Sequence, residues 1–173
     1  MSGWWKELHI IQSFSFGAVA VAAMLLTFHQ NNFFGIVSKF FIWLFAVCYL
    51  VFDSTARIAV GYILDLLNHH PNIDATSTKN IVQLLYTDPI IGGSGSAFSL
   101  AGSYGWLLGI SFAIISIFLT NRKLGLKKLL PPLILLAISA FALYVGHYAP
   151  YGPIAFGAFL LASLWFDIFN FDL

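Results

Sequence analysis

Charge is what this sequence has least of. Lysine, arginine, aspartate and glutamate make up 9% of its 173 residues, against about 25% in an ordinary soluble domain. So few charges cannot clothe a water-facing surface on a chain that is 60% hydrophobic and 17% aromatic. That excludes a soluble globule and leaves the multi-pass membrane class. Cysteine is nearly absent: Cys48 stands alone, so no intrachain disulfide exists and cysteine usage does not mark the compartment. The formal net charge is +1 and no basic stripe runs along any segment, which excludes nucleic acid as a partner. Gly92, Gly93 and Gly95 are not followed by Lys-Ser or Lys-Thr at phosphate-loop spacing. No Gly-x-Ser-x-Gly elbow supports a nucleophilic serine. Neither a His-Glu-x-x-His pair nor a paired-cysteine signature marks a metal site. Internal repeats and low-complexity tails are also missing.

What the sequence does have is long apolar runs, with a mean hydropathy of +0.87. They predict an all-α membrane helix bundle, a single integral domain over 1–173 with five spans at about 8–28, 38–66, 97–120, 129–147 and 153–169. Trp4 and Trp5 suit an interface. Glu7 offsets Lys6 ahead of the first run, so that run reads as a retained span and not as a cleaved leader. Ser13 with Gly17, Ala18 with Ala22, and Gly105 with Gly109 are small residues four apart, the spacing that lets helices approach closely. Between spans 2 and 3, residues 78–86 predict a short surface helix capped by Thr76, Ser77 or Thr78. Asp88-Pro89 then turns the chain back. Pro131 and Pro132 suit the first turn of span 4.

The longest helical stretch, from Phe33 to Leu67, would measure about 52 Å against a hydrocarbon core of about 30 Å. It must protrude, tilt or break, and Lys39 can snorkel at one end. The stretch carries Asp53 and Arg57, four apart with the acid first, a spacing that predicts an ion pair along the helix. Charge inside a span is costly, so both should face other helices or a wet cavity.

Arg122, Lys123, Lys127 and Lys128 form the basic cluster that sets the threading. Positive residues stay inside, so the N-terminus is expected outside and the C-terminus inside. His9, His69, His70, His147, Asp53, Arg57 and Asp65 then share the outer side, and His29 alone the inner. The expectation is an outward-facing polar pocket formed by Asp53, Arg57, His147, His9, Tyr49 and Tyr151, roofed by residues 68–97. His69, His70, Asp65 and Asp74 are the candidate metal ligands. A bis-histidine haem would draw on His9 and His147. No cofactor is assigned by these residues. The function expected is binding or translocation of a small solute or ion, in a bacterial or archaeal cytoplasmic membrane. The alternatives are an accessory or structural subunit of a larger membrane complex, and a membrane-embedded metal- or haem-dependent enzyme. Expected partners are the lipid bilayer and other membrane subunits or further copies of the chain. The plainer reading of the same residues is an ion pair that locks helices and histidines in wet loops.

The threading has a direct test. In a chain with Cys48 replaced, cysteines introduced at Ser2 and Gly125 should react with a membrane-impermeant thiol reagent from opposite faces of intact cells. Labelling of the Gly125 position from outside would reverse the topology.

Overall fold

A computed structural model describes residues 2–70, 72–169 and 171. Among the described residues the chain is helical and has no strand. Its helices are α1 (Ser2–Leu26), α2 (Phe33–Asp53), α3 (Val60–His69), α4 (Ala75–Thr87), α5 (Ala97–Asn121), α6 (Leu126–Val145) and α7 (Tyr151–Ile168). A π-helical segment, Ser54–Ala59, joins α2 to α3, and a 3₁₀ turn, Arg122–Leu124, follows α5. Five helical runs are long and apolar enough to cross a membrane: Trp4–Leu26, Phe33–His69, Ala97–Leu124, Leu126–Val145 and Tyr151–Ile168. The second runs unbroken for 37 residues, so its excess length is not relieved by a break.

The residues form two compact units, 1–18 with 46–102, and 19–45 with 103–173. The second is built on close helix approach. Trp106, Ile110, Ala113 and Ile117 are fully buried on α5, spaced as one helical stripe. Ile42 and Phe45 of α2, Leu136 and Leu143 of α6, and Ala155 and Ala162 of α7 are buried in the same unit. Gly105 and Gly109 sit where α5 meets α2. A Cβ at Gly105 would lie 2.8 Å from the Phe45 nitrogen, and one at Gly109 2.9 Å from Ile42 Cγ1. The contact expected from their spacing is therefore made. Across it Ser38 Oγ donates to the Gly109 carbonyl at 2.7 Å. Gly17, by contrast, has nothing within 4 Å of its Cβ position, so its spacing from Ser13 serves no packing among the described residues.

Helix ends in this unit are closed by side chains. Asn32 Oδ1 accepts from Gly35 N at 3.0 Å and caps α2. Lys39, expected to snorkel, donates to the Phe28 carbonyl beyond the end of α1 at 2.9 Å. Gln30 is 2% exposed, although it sits in what reads as a wet polar turn. Its Oε1 accepts from Ser116 and Thr120 of α5 at 3.0 and 2.7 Å.

The prolines do not occupy the first turn of span 4. The helix starts at Leu126, so Pro131 and Pro132 lie inside α6. Gly125, at φ +82°, makes the entry in a conformation glycine adopts freely. Pro132 has no N–H to give the carbonyl of residue 128. Trp165 Nε1 of α7 donates to that Lys128 carbonyl at 3.1 Å. The neighbouring helix thus satisfies a group the proline leaves bare, and α6 packs along α7.

The Gly105 contact is backbone against backbone, and neither side has a flexible chain end that can yield. Gly105→Ala should cost about 1–3 kcal/mol, the usual range for overpacking a tight contact. Gly157→Ala, where nothing lies within 4 Å, should leave thermal unfolding in detergent unchanged. Equal melting temperatures for the two variants would contradict the contact.

Candidate functional site

The polar residues of the first unit gather where the start of α1 meets the end of α2, the π segment, α3 and α4. Gly61 permits the approach, because a Cβ there would lie 3.0 Å from Lys6 Cβ and 3.2 Å from Lys6 Cα. Held this close, Lys6 Nζ pairs with Asp65 Oδ2 at 2.7 Å and stands 4.5 Å from the centroid of the Tyr62 ring.

Asp53 is 0% exposed. Ser13 Oγ donates to its Oδ2 at 3.5 Å, a long contact. The same hydroxyl donates to the His9 carbonyl at 2.9 Å, and a serine has a single proton to share. The other carboxylate oxygen, Oδ1, is buried with no partner. His9, also buried, places Nδ1 2.8 Å from the Trp5 carbonyl and its ring 4.3 Å from the Trp5 ring. Tyr49 is buried against Phe16, with ring centroids 4.8 Å apart. Gly102 leaves the room that the Tyr49 ring occupies.

The ion pair expected between Asp53 and Arg57 is not formed. Arg57 Nη1 donates instead to the Tyr86 hydroxyl. Its guanidinium lies 5.1–5.5 Å from the ring centroids of Trp5, Phe52 and Tyr86, a cation–π enclosure. Arg57 Nε is buried with no partner. The physical reason lies in the backbone. The pairing rule assumes an α-helix, whereas 54–59 is π-helical. Its i→i+5 bonds take more residues round each turn, so Arg57 does not project where a continued α-helix would put it. From there Tyr86 and the three rings hold it.

The remaining expected ligands are employed elsewhere. Among the described residues no three His, Cys, Asp or Glu side chains are gathered to hold a metal ion. Asp65 pairs with Lys6. His69 Nδ1 lies 2.8 Å from the Asp65 carbonyl, and His70 is exposed. Asp74 caps α4, accepting from Thr76 N at 3.2 Å, Ser77 N at 2.9 Å and Ser77 Oγ at 2.5 Å. The cap therefore precedes the three residues expected to supply it, and the helix begins at Ala75. The Ser77 hydroxyl, then the Ser77 and Thr76 amides, hold the Asp74 carboxyl below the usual carboxylate range. The Ile91 and Ile90 amides do the same for Asp88, whose side chain accepts from both at 2.9 and 2.8 Å and fixes the turn before α5.

Within the 68–97 stretch, α4 lies against α3 and the π segment. His147 and Tyr151 belong to the second unit, His147 in the turn after α6 and Tyr151 at the start of α7. There Tyr151 lines an apolar groove of about 460 Å³ with Ile134, Ile138, Phe141 and Ile154. Sequence reasoning missed Trp5 and Tyr86 as parts of the Asp53–Arg57 cluster. Tyr86 is 29 positions from Arg57, and no local spacing announces it. No known protein family, characterised protein or solved structure matches the chain.

Tyr86→Phe keeps the ring beside Arg57 and removes its acceptor. The change should cost about 1.5–3 kcal/mol, the range for a hydrogen bond to a charged group. Thermal unfolding in detergent measures it. An unchanged melting temperature would show that Tyr86 does not hold Arg57.

Proposed function

We propose that the chain is a small multi-pass membrane protein, N-terminus outside and C-terminus in the cytoplasm, that binds or translocates a small solute or ion at the Asp53 cluster. The observation that carries this reading is Asp53 itself, fully buried in an apolar helical run with Oδ1 unpartnered. An acid at the centre of a span costs about 2.5–3.5 kcal/mol on insertion scales. An apolar residue would fill the same space without that penalty, so a packing role does not account for it.

The surroundings assign the parts. Tyr86 and the rings of Trp5, Phe52 and Tyr86 hold Arg57 off the carboxylate. Asp53 Oδ1 is thereby left without a partner among the described residues. Arg57 still balances the charge of Asp53 at short range, which lowers the cost of keeping it buried. Ser13 touches both Asp53 and the backbone of α1, so occupancy of the carboxylate is felt by a second helix. The π segment begins at the next residue, and wide turns of this kind are frequent at functional sites.

A second reading, an accessory subunit of a larger membrane complex, is favoured by the open backbone at Gly17 and Gly157, where a partner helix meets no obstacle.

One experiment separates them. Purified protein is reconstituted into liposomes carrying a pH-sensitive dye or an alkali-cation-sensitive dye, under gradients of proton, sodium or potassium. Thermal unfolding with each ion, and with a panel of small solutes, is run in parallel. The binding reading expects flux or a thermal shift from at least one species, lost in Asp53→Asn, whose fold and melting temperature are retained. Asp53→Leu combined with Arg57→Met, which removes both charges, should be as stable as the parent or more so. An Asp53→Asn protein that behaves like the parent throughout would overturn the reading. Co-purification of a stoichiometric partner, undiminished by Asp53→Asn, would establish the second.

A further inference from the structure

α4 has more apolar surface than the protein covers. At 3.6 residues per turn, Leu84, Ile81, Leu85, Val82 and Tyr86 span an arc of about 200°, and Lys79, Asn80, Gln83 and Thr76 take the rest. The middle of the arc is turned to the protein: Thr78 is buried and Val82, Leu85 and Tyr86 are half-buried. One flank is not. Ile81 is 51% exposed and Leu84 70%, with Ile73 and Ile90 also exposed before and after the helix. Lys79, the only charged residue in α4, falls on the side away from that flank.

The helix cannot roll to hide it. Asp74 closes its start. Beyond its end Gly93 N donates to the Tyr86 carbonyl at 2.8 Å, and Ala97 N to the Pro89 carbonyl at 2.9 Å. Arg57 fastens Tyr86 from the π segment.

We propose that α4 is an interfacial membrane helix. The occupant of its Ile81–Leu84 flank is the bilayer itself, at the boundary between acyl chains and headgroups, while Lys79, Asn80 and Gln83 face water and headgroups. The support chooses this partner. α4 lies on α3 and the π segment, which are parts of the apolar run Phe33–His69. Tyr62 and Leu66 of α3 are themselves exposed, so the uncovered flank belongs to a helix already lying along a lipid-facing one. An apolar arc this wide, with its one cation on the far side, is the pattern of helices that lie in the interface plane. The inference rests on the membrane reading of the five helices and not on the Asp53 site.

The test uses the full chain with Cys48→Ala, in nanodiscs of phosphatidylcholine with phosphatidylglycerol. Nitroxide labels are placed singly through Ile81→Cys, Leu84→Cys, Gln83→Cys and Leu160→Cys, the last at an exposed position midway along α7. Collision with oxygen, which concentrates in lipid, is compared with collision with a water-soluble nickel chelate. The oxygen-to-chelate ratio should be several-fold higher at 81, 84 and 160 than at 83. A ratio at 81 and 84 equal to that at 83, with 160 in lipid, overturns the interfacial helix and leaves the membrane reading standing. An aqueous ratio at 160 overturns the membrane reading as well. Labels at 81 and 84 that are immobile and shielded from both reagents would mean that a protein surface covers the flank, which also overturns the proposal.

Discussion

Much of this structure answers to the need to satisfy polar groups inside the chain. Helices crossing an apolar layer have no water to bond their loose ends and backbone gaps. The second unit meets it at several points, although the Ser139 hydroxyl stays buried without a partner. The carbonyl that Pro132 leaves bare is taken by Trp165, and the one following α1 by Lys39. Gln30 enters a buried position and is matched there by two hydroxyls of α5. Each allows a proline, a helix end or an amide to lie where the apolar pattern alone would forbid it.

The charged groups of the first unit depart from this furthest. Asp53 Oδ1 and Arg57 Nε, two groups of opposite character within one helical turn, are both left without partners. A helix with α geometry would place them to bond one another. The π segment and the aromatic enclosure of Arg57 prevent it. Keeping a charged pair apart in a dry setting has a free-energy cost, and the fixed contacts around it supply the stabilisation: the Lys6–Asp65 pair, the Gly61 approach and the hold of Tyr86. We read that arrangement as preorganisation of an acid for a ligand.

α4 links the two themes. Tyr86 makes it a structural part of the site through Arg57, and its uncovered aliphatic flank gives it a second surface to satisfy.

The sequence by itself determined the helical class, the five apolar runs, the Gly105–Gly109 approach and the Asp88-Pro89 turn. These follow from hydropathy and from local backbone chemistry, which act over a few residues. It also marked Asp53 and Arg57 as the costly residues, because charge in an apolar run stands out whatever the fold. What tertiary structure decided were the partners. Asp53 turned to Ser13, 40 positions away, Arg57 to Tyr86, and Lys6 to Asp65, 59 positions away. The π turn followed the same logic, since its widened geometry rewrote the neighbours that α-helical spacing implies. α6 could begin before its prolines because a tryptophan from α7 lay within reach of Lys128. A spacing rule reads only along the chain, and a hydrogen bond across helices is settled by which backbones come close.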